Sequence, residues 1–139
     1  MISKKCEYGI QAILYLSILE KNQAIPVGQI AKKLQLPKEF VSKILQSLTD
    51  SGIIGSIKGK NGGFYLLKNS KEITILDIIK IIDGEKFLDG CVLGFDNCSD
   101  EKPCPVHIKW KKCKNQIIEI FSKETIDKYE LVIREKINL

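Results

Sequence analysis

The sequence predicts a mainly α-helical fold with a small β-hairpin: a winged helix-turn-helix followed by a long C-terminal helix. Apolar residues recur at helical spacing in three successive segments of the first 51 residues. A glycine-rich hairpin follows directly, and a narrow apolar seam lies near the C-terminus. These features divide the 139 residues into an N-terminal unit (1–83), a cysteine-bearing loop (84–104) and a C-terminal helix with its tail (105–139).

The first helix is predicted over residues 4–21, before Asn22 and Pro26 interrupt the chain. Its lysines and apolar run are similar to a signal peptide, but polar residues interrupt the run and no cleavage site follows. No apolar run approaches the roughly 18 residues that a membrane span needs. We therefore expect a cytoplasmic protein with no membrane partner. The apolar face of the helix consists of Ile10, Ile13, Leu14 and Ile18.

Two shorter helices are predicted over residues 27–34 and 37–51. Pro37 would take the first helical position, where its missing N–H is harmless, and Gly52 would lie just past the end, where a left-handed cap is favourable. Two short helices joined by a tight turn are typical of a helix-turn-helix. The second helix would bury Phe40, Val41, Ile44, Leu45 and Leu48.

A hairpin is predicted directly after the second short helix. Two β-rich runs, 53–57 and 64–67, flank the flexible sequence KGKNGG. A hairpin in this position is the wing of a winged helix. Lys58 and Lys60 would lie on the wing, close to phosphates or a minor groove.

The net charge of +5 is concentrated in the N-terminal half. Residues 1–70 carry ten lysines against four acidic residues, whereas residues 71–139 carry twelve basic and thirteen acidic residues. Together with the helix-turn-helix and the wing, this charge favours double-stranded DNA as a partner over an ordinary lysine-rich surface. The second helix of such a unit enters the major groove with its N-terminal residues nearest the bases. These residues are Lys38, Glu39, Ser42 and Lys43.

The second half contains two further predicted helices. Thr74 and Asp77 resemble a capping box for a buried helix over residues 75–82, and Pro105 is expected to open a long final helix. Steps of four and three residues along that helix are typical of a coiled-coil seam, which packs as often on its own domain as on a second chain. The DNA-binding interpretation favours the second chain, a homodimer that reads a palindromic operator. The tail can add a short helix with a frayed end. The seam consists of Val106, Trp110, Cys113, Ile117 and Ile120, with Cys113 expected as a small core residue.

The stretch from Gly90 to Trp110, which spans the end of the loop and the start of the long helix, holds three of the five cysteines and the only histidine. Cys91, Cys98, Cys104 and His107 have the spacing C-x6-C-x5-C-x2-H. Structural disulfides are disfavoured in a reducing cytosol, so metal or redox chemistry is the expected use. Three thiolates and an imidazole can hold zinc, but two of the gaps are longer than those of most zinc knuckles. On spacing alone an iron–sulfur cluster is favoured over zinc and over metal-free thiols.

The chain resembles the IscR/NsrR/CymR type of bacterial winged-helix regulators over nearly its whole length. The resemblance is carried by YGIQAILYLS, IPVGQIAKKLQLPKEFVSKILQSLTDSGII, SIKGKNGGFYL, ITILDIIKIIDG and the cysteine block that ends in PCPVHIKWKK. It implies a homodimer crossed through the long helix and a cluster held by Cys91, Cys98 and Cys104. The fourth ligand differs between members of the family.

Two candidates for that fourth ligand follow from the resemblance. His107 matches members with a histidine just after the third cysteine and would suit a 2Fe–2S cluster, whereas Glu7 matches members in which the partner subunit supplies an acid. We prefer His107 because it is close in sequence and imidazole is the softer ligand; a 4Fe–4S cluster stays possible. No catalytic dyad is visible, so an enzyme with a small-molecule substrate is not expected.

The sequence therefore predicts a DNA-binding transcription regulator whose operator affinity is controlled by an iron–sulfur cluster. The signal would be cluster or iron status, nitric oxide or redox stress. One alternative is a zinc-stabilised or metal-free DNA-binding regulator. A second is a small iron–sulfur carrier or electron-transfer protein, which would need neither wing nor basic helix.

Overall fold

The computed structural model describes residues 2–21 and 23–136, and the side chains of all of these except Lys86 and Leu88. Two 3-10 turns, Ser70–Glu72 and Ile126–Tyr129, lie between the longer elements. The elements in chain order are α1 (Lys4–Ser17), α2 (Val27–Leu34), α3 (Lys38–Asp50), β1 (Ile54–Ile57), β2 (Gly63–Leu66), α4 (Ile75–Ile82), α5 (Lys86–Asp89), α6 (His107–Lys123) and α7 (Glu130–Lys136). This order confirms the predicted mainly α-helical winged-helix fold.

Helix α1 ends at Ser17, earlier than the predicted residue 21. The Ser17 hydroxyl donates to the Leu14 carbonyl (2.7 Å), and the next backbone bonds tighten to a spacing of three residues. Arg134 of α7 donates to the Ile18 carbonyl (2.9 Å), so a distant side chain caps this end of the helix. Asn22, the predicted breaker, lies outside the described residues.

The turn between α2 and α3 fixes the geometry of the helix-turn-helix. Gln35 takes the left-handed conformation (φ 57°), and the Leu36 N–H reaches back to the Ala31 carbonyl (2.9 Å). The prediction that Pro37 takes the first helical position is wrong. Its backbone is extended (ψ 134°), so it is the N-cap, and its carbonyl accepts from Val41 N–H (3.1 Å). Bounds of α2 match the prediction.

The wing is the antiparallel pair β1–β2, with Ile54 opposite Leu66 and Ile57 opposite Gly63. A further bridge pairs Ile25 with Phe64, which ties the wing to the chain before α2. Gly63 has a positive φ (154°), and a Cβ there would lie 2.3 Å from the carbonyl of Ile25. Strand β1 begins one residue later than the predicted run, and β2 is shifted by one residue because Gly63 pairs with Ile57.

The core lies between α1, α3, α4 and the wing. The capping box before α4 is confirmed: Thr74 accepts from Asp77 N–H (3.1 Å), and the Asp77 carboxylate accepts from Thr74 N–H (3.0 Å). The prediction that α4 is a buried helix is only partly right. Leu76, Ile78 and Ile79 are buried, while one edge of the helix is half-buried.

Helix α6 begins at His107 rather than at Pro105. Residues 104–107 first form a turn, in which the Cys104 carbonyl accepts from His107 N–H (3.1 Å), and the helical ladder starts with Trp110 N–H on the Val106 carbonyl (2.8 Å). Helix α6 packs against α4, yet none of its side chains is buried. Cys113 is exposed, so the expectation of a small core residue is wrong for the single chain.

None of the helices in the described ranges is long and apolar enough to cross a bilayer.

Candidate metal centre and nucleic-acid interface

The three loop cysteines converge. The Sγ atoms of Cys91, Cys98 and Cys104 lie within 4.8 Å of one another, and all three side chains are half-buried. The Cys91 and Cys104 sulfurs are 3.7 Å apart. Two thiolates at about 2.3 Å from one tetrahedral metal atom are about 3.8 Å apart, so this pair has the spacing of two ligands on the same metal.

Short turns in the loop bring these thiols together. Gly94, with a φ of 83°, donates its N–H to the Cys91 carbonyl (3.0 Å) and reverses the chain after the first cysteine. Ser99 and Lys102 form a second turn, in which the Ser99 hydroxyl accepts from Lys102 N–H (3.1 Å). This second turn lies between Cys98 and Cys104 and reverses the chain between them. The loop thus has local structure without a core of its own.

His107, at the start of α6, adds a nitrogen to the group. Its Nδ1 lies 3.1 Å from Cys98 Sγ, and its Nε2 lies 2.8 Å from an oxygen of Asp100. The same carboxylate accepts from Lys111 Nζ at 2.8 and 3.1 Å. The ligand atoms therefore form two close pairs, Cys91 with Cys104 and Cys98 with His107.

The electrostatics favour the ionised forms of Asp100 and Cys91, whereas burial and the neighbouring thiols raise the pKa of Cys98. Lys111 and His107 lower the pKa of Asp100 to about 2. Backbone N–H groups, chiefly that of Phe95, lower the pKa of the Cys91 thiol to about 7, so a thiolate forms readily there. By contrast, burial raises the pKa of Cys6 to about 12. Cys6 is fully buried in α1 and is therefore an unreactive core residue, which the sequence left open.

An open cavity of about 530 Å³ adjoins the thiols. Its walls come from the loop, α4 and the first turns of α6, with basic side chains from Lys80, Lys111 and Lys114. The acids Glu85, Asp89 and Asp100 also line the cavity, and the cations would offset the negative charge of a thiolate-bound group. Three converging thiols, an imidazole and adjacent open space fit a metal ion or a small inorganic cluster.

Glu7, the other candidate ligand, does not join this group in the described part of the single chain. It lies in the first turn of α1, where its carboxylate pairs with Lys4 at 2.8 Å.

The six nominated DNA contacts lie on two neighbouring elements. The first turns of α3 carry four of them, and the hairpin turn carries the other two. All six side chains are exposed, as a contact surface requires, because the buried stripe of α3 faces the core. They are Lys38, Glu39, Ser42, Lys43, Lys58 and Lys60.

The predicted seam of α6 is partly open to solvent. Val106, Trp110 and Ile117 are half-buried, whereas Cys113 and Ile120 are exposed. Ile120 also borders an apolar groove formed with α1 and α4, whose other walls are Ile2, Ile10, Leu14, Ile75, Phe121, Glu124 and Tyr129.

Sequence reasoning missed the contacts that fasten the loop to α6. The Trp110 indole N–H donates to the Gly90 carbonyl (3.1 Å), and Asp100 bridges His107 and Lys111. Neither contact has a local signal, because loop residues 90 and 100 meet α6 only after both turns of the loop have formed.

Comparison with known proteins shows the family to which this chain belongs. A sequence model of the Rrf2 family, described as an iron-dependent transcriptional regulator, matches residues 2–129. The chain belongs to the Rrf2 family of transcriptional regulators. A protein of Aquifex aeolicus (strain VF5) named as an HTH-type transcriptional regulator is 35% identical over 128 residues, which are 91% of this chain and 88% of the relative.

Two further matches carry more specific names. The HTH-type transcriptional regulator IscR of Pectobacterium atrosepticum is 23% identical over 136 residues, 98% of this chain and 81% of that protein. The structure of CymR (YrzC), the global cysteine regulator of B. subtilis, superposes with a TM-score of 0.77 at 22% identity, covering 95% of this chain and 97% of that one. The Rrf2-family chain is thus a DNA-binding regulator of transcription with a winged-helix fold, and it is not an enzyme.

Proposed function

We propose that this regulator binds operator DNA as a homodimer and that an iron–sulfur cluster in the cysteine loop controls its affinity. The observation that carries the proposal is the convergence of the Cys91, Cys98 and Cys104 thiols within 4.8 Å beside an open cavity. Residues 1–83 are the DNA-binding domain, residues 84–104 the cluster-binding loop, and residues 105–139 the dimerisation helix and tail.

A 2Fe–2S cluster is the preferred occupant. Each of its two irons takes two protein ligands, and histidine can replace cysteine on iron. The ligand atoms form two close pairs, Cys91 with Cys104 (3.7 Å) and Cys98 with His107 (3.1 Å), which supports this cluster. The description of the family as iron-dependent supports iron over zinc. The same four ligands could hold one tetrahedral zinc ion, so zinc is the second candidate.

His107 is the preferred fourth ligand, and Glu7 the alternative. His107 Nδ1 already faces Cys98 Sγ, whereas the Glu7 carboxylate pairs with Lys4 in the single chain. Replacing His107 with Ala should change the visible spectrum and iron content, whereas Glu7→Ala should leave both unchanged. The reverse pattern would assign the fourth ligand to the Glu7 carboxylate.

The cluster would change DNA affinity by constraining α6. The cysteine loop contacts this helix at Trp110 and Lys111, so ordering of the loop constrains its first turns. The exposed part of the seam would pack against a second copy, because Ile120 and its neighbours have no cover in one chain. The spacing of two half-sites on a palindromic operator is a rigid requirement, so a small change in dimer geometry changes affinity.

DNA contacts would come from the α3 N-terminus and the wing. Lys38, Glu39, Ser42 and Lys43 would approach base edges or phosphates in the major groove. Lys58 and Lys60 would contact the backbone or minor groove beside it. The exposure of all six side chains supports this assignment.

Anaerobic purification tests the proposal. We expect brown protein with iron and acid-labile sulfide in equal amounts, and a change in operator affinity when the cluster is removed by nitric oxide, oxygen or a chelator. A colourless zinc protein would favour the second candidate. Iron-loaded protein that is not retained on DNA even at low salt would instead indicate a cluster carrier, since phosphate contacts depend steeply on salt.

A further inference from the structure

We propose that Asp100 is a positioning residue, which fixes the ring of His107 so that Nδ1 faces the cysteine centre. The inference rests on the proposed role of His107 as a ligand. It assigns a role to an acidic loop residue that is neither a cysteine nor part of the DNA-binding surface. It also identifies one of the contacts between the cysteine loop and α6.

The geometry forms a continuous chain from thiol to lysine. Cys98 Sγ lies 3.1 Å from His107 Nδ1, His107 Nε2 lies 2.8 Å from Asp100 Oδ1, and Lys111 Nζ lies 2.8 Å from Asp100 Oδ2. The His107 side chain is 17% exposed, whereas that of Asp100 is 69% exposed. Asp100 therefore approaches the ring from the solvent side, opposite the thiols.

Helical spacing explains why one carboxylate reaches two partners. His107 and Lys111 are four residues apart on α6, so their side chains project from the same face. One oxygen of Asp100 contacts both partners and the other only Lys111, which holds the carboxylate in place. The turn at Ser99 and Lys102 fixes its backbone.

The chemical consequence follows from the two nitrogens of imidazole. A carboxylate at Nε2 accepts an N–H there, which leaves the Nδ1 lone pair free to face a metal. Carboxylates in this outer position orient metal-binding histidines and raise their basicity. Without Asp100, no described acceptor holds Nε2, and the ring could turn its other nitrogen toward Cys98.

A matched control is available in the adjacent residue. Glu101 is exposed, carries the same charge and lies in the same turn, but it makes no ion pair with His107 or Lys111 in the described structure. Asp100→Ala and Glu101→Ala therefore remove the same charge from the same turn. Asp100→Asn keeps an oxygen that can accept from Nε2 and should rescue part of the effect.

The first measurement does not require a metal. The chain has one histidine, so ¹⁵N-histidine labelling of the reduced, metal-free protein reports on His107 alone. We expect an Nε2–H signal protected from solvent exchange in the wild type and in Glu101→Ala, lost in Asp100→Ala and partly kept in Asp100→Asn. An Asp100→Ala spectrum identical to that of the wild type would overturn the proposal.

The second measurement uses iron-loaded protein. Loss of an outer-sphere partner weakens metal binding roughly 10–100-fold, so Asp100→Ala should lose iron to a chelator that leaves Glu101→Ala loaded. Its visible spectrum and reduction potential should also shift. Unchanged iron retention, spectrum and potential in Asp100→Ala would refute the positioning role while leaving the cluster intact. If wild-type protein never binds iron, the proposed function fails as well, and the NMR result still decides the Asp100–His107 contact.

Discussion

The N-terminal unit and the loop with α6 differ in what they bury. Every buried apolar side chain in the described chain lies between Cys6 and Ile79, with Ile126 as the single addition. Between residues 84 and 125, apart from the undescribed Lys86 and Leu88 side chains, no side chain is buried. The first unit is stabilised by its own core, whereas the second has few contacts beyond hydrogen bonds and ion pairs. The second region therefore has little buried apolar surface of its own to hold it in place.

Thiol reactivity gives the sharpest contrast between the two regions. In metal-free protein at pH 8, Cys91 should be largely thiolate because its pKa is about 7, whereas buried Cys6, with a pKa of about 12, should stay protonated. We expect iodoacetamide to label Cys91 roughly a hundredfold faster or more, by peptide mass spectrometry. Labelling of Cys6 at a comparable rate in folded protein would mean that the first helix opens.

Removal of one thiol tests the loop without disturbing the core. Cys98→Ala should lose nearly all iron and sulfide, because the centre then keeps only two thiols. Its far-UV circular dichroism and thermal midpoint in the metal-free state should match the wild type, since this loop contributes nothing to the core. Cys113→Ala is the control, because Cys113 is exposed on α6 away from the three thiols. A full iron complement in Cys98→Ala would show that the ligand set is wrong.

Paired alanine substitutions compare stability in the two regions. Leu48 of α3 is fully buried, so Leu48→Ala should lower the free energy of unfolding by about 2–5 kcal/mol. Phe95 of the loop is 55% exposed, so Phe95→Ala should change it by about 0.5 kcal/mol or less in metal-free protein. Urea titrations measure both values. Equal losses of unfolding free energy in the two variants would mean that Phe95 is packed as tightly as a core residue.

Charged substitutions on α6 test whether a second chain covers the seam. Ile120→Glu should shift the protein from dimer to monomer in analytical ultracentrifugation, because it places a charge in the apolar groove. Ile108→Glu is the matched control: Ile108 is more exposed (78% against 56%) and lies off the seam. A dimer that tolerates Ile120→Glu would contradict the proposed interface.

Alanine substitutions of the wing lysines should have the smallest of these effects, on DNA binding. Lys58→Ala or Lys60→Ala should weaken DNA binding across all sequences and reduce the slope of log K against log salt by about 1 each. Lys123→Ala, on α6 and paired with Glu119, should leave the slope unchanged. Fluorescence anisotropy over a salt series measures these slopes. A change of sequence preference in either wing variant would instead indicate contacts to bases.

The sequence predicts the first region better than the second. Periodicity and a capping box are local signals, so the bounds of α2 and α4 match the predictions. The predicted starts of α3 at Pro37 and of α6 at Pro105 are too early by one and two residues, because each proline precedes its helix as part of a turn. The bridge from Asp100 to His107 and Lys111 and the exposure of Cys113 depend on the three-dimensional path of the loop. No spacing in the sequence encodes them.

Among the described residues, the side-chain hydrogen bonds between the loop and α6 lie in one stretch of the helix, at His107, Trp110 and Lys111. Residues 91–104 could therefore be exchanged for a segment with other ligands without rebuilding the hydrophobic interior. A graft that keeps these three side chains and an acceptor at position 100 for His107 and Lys111 would offer the same winged helix a different set of metal ligands.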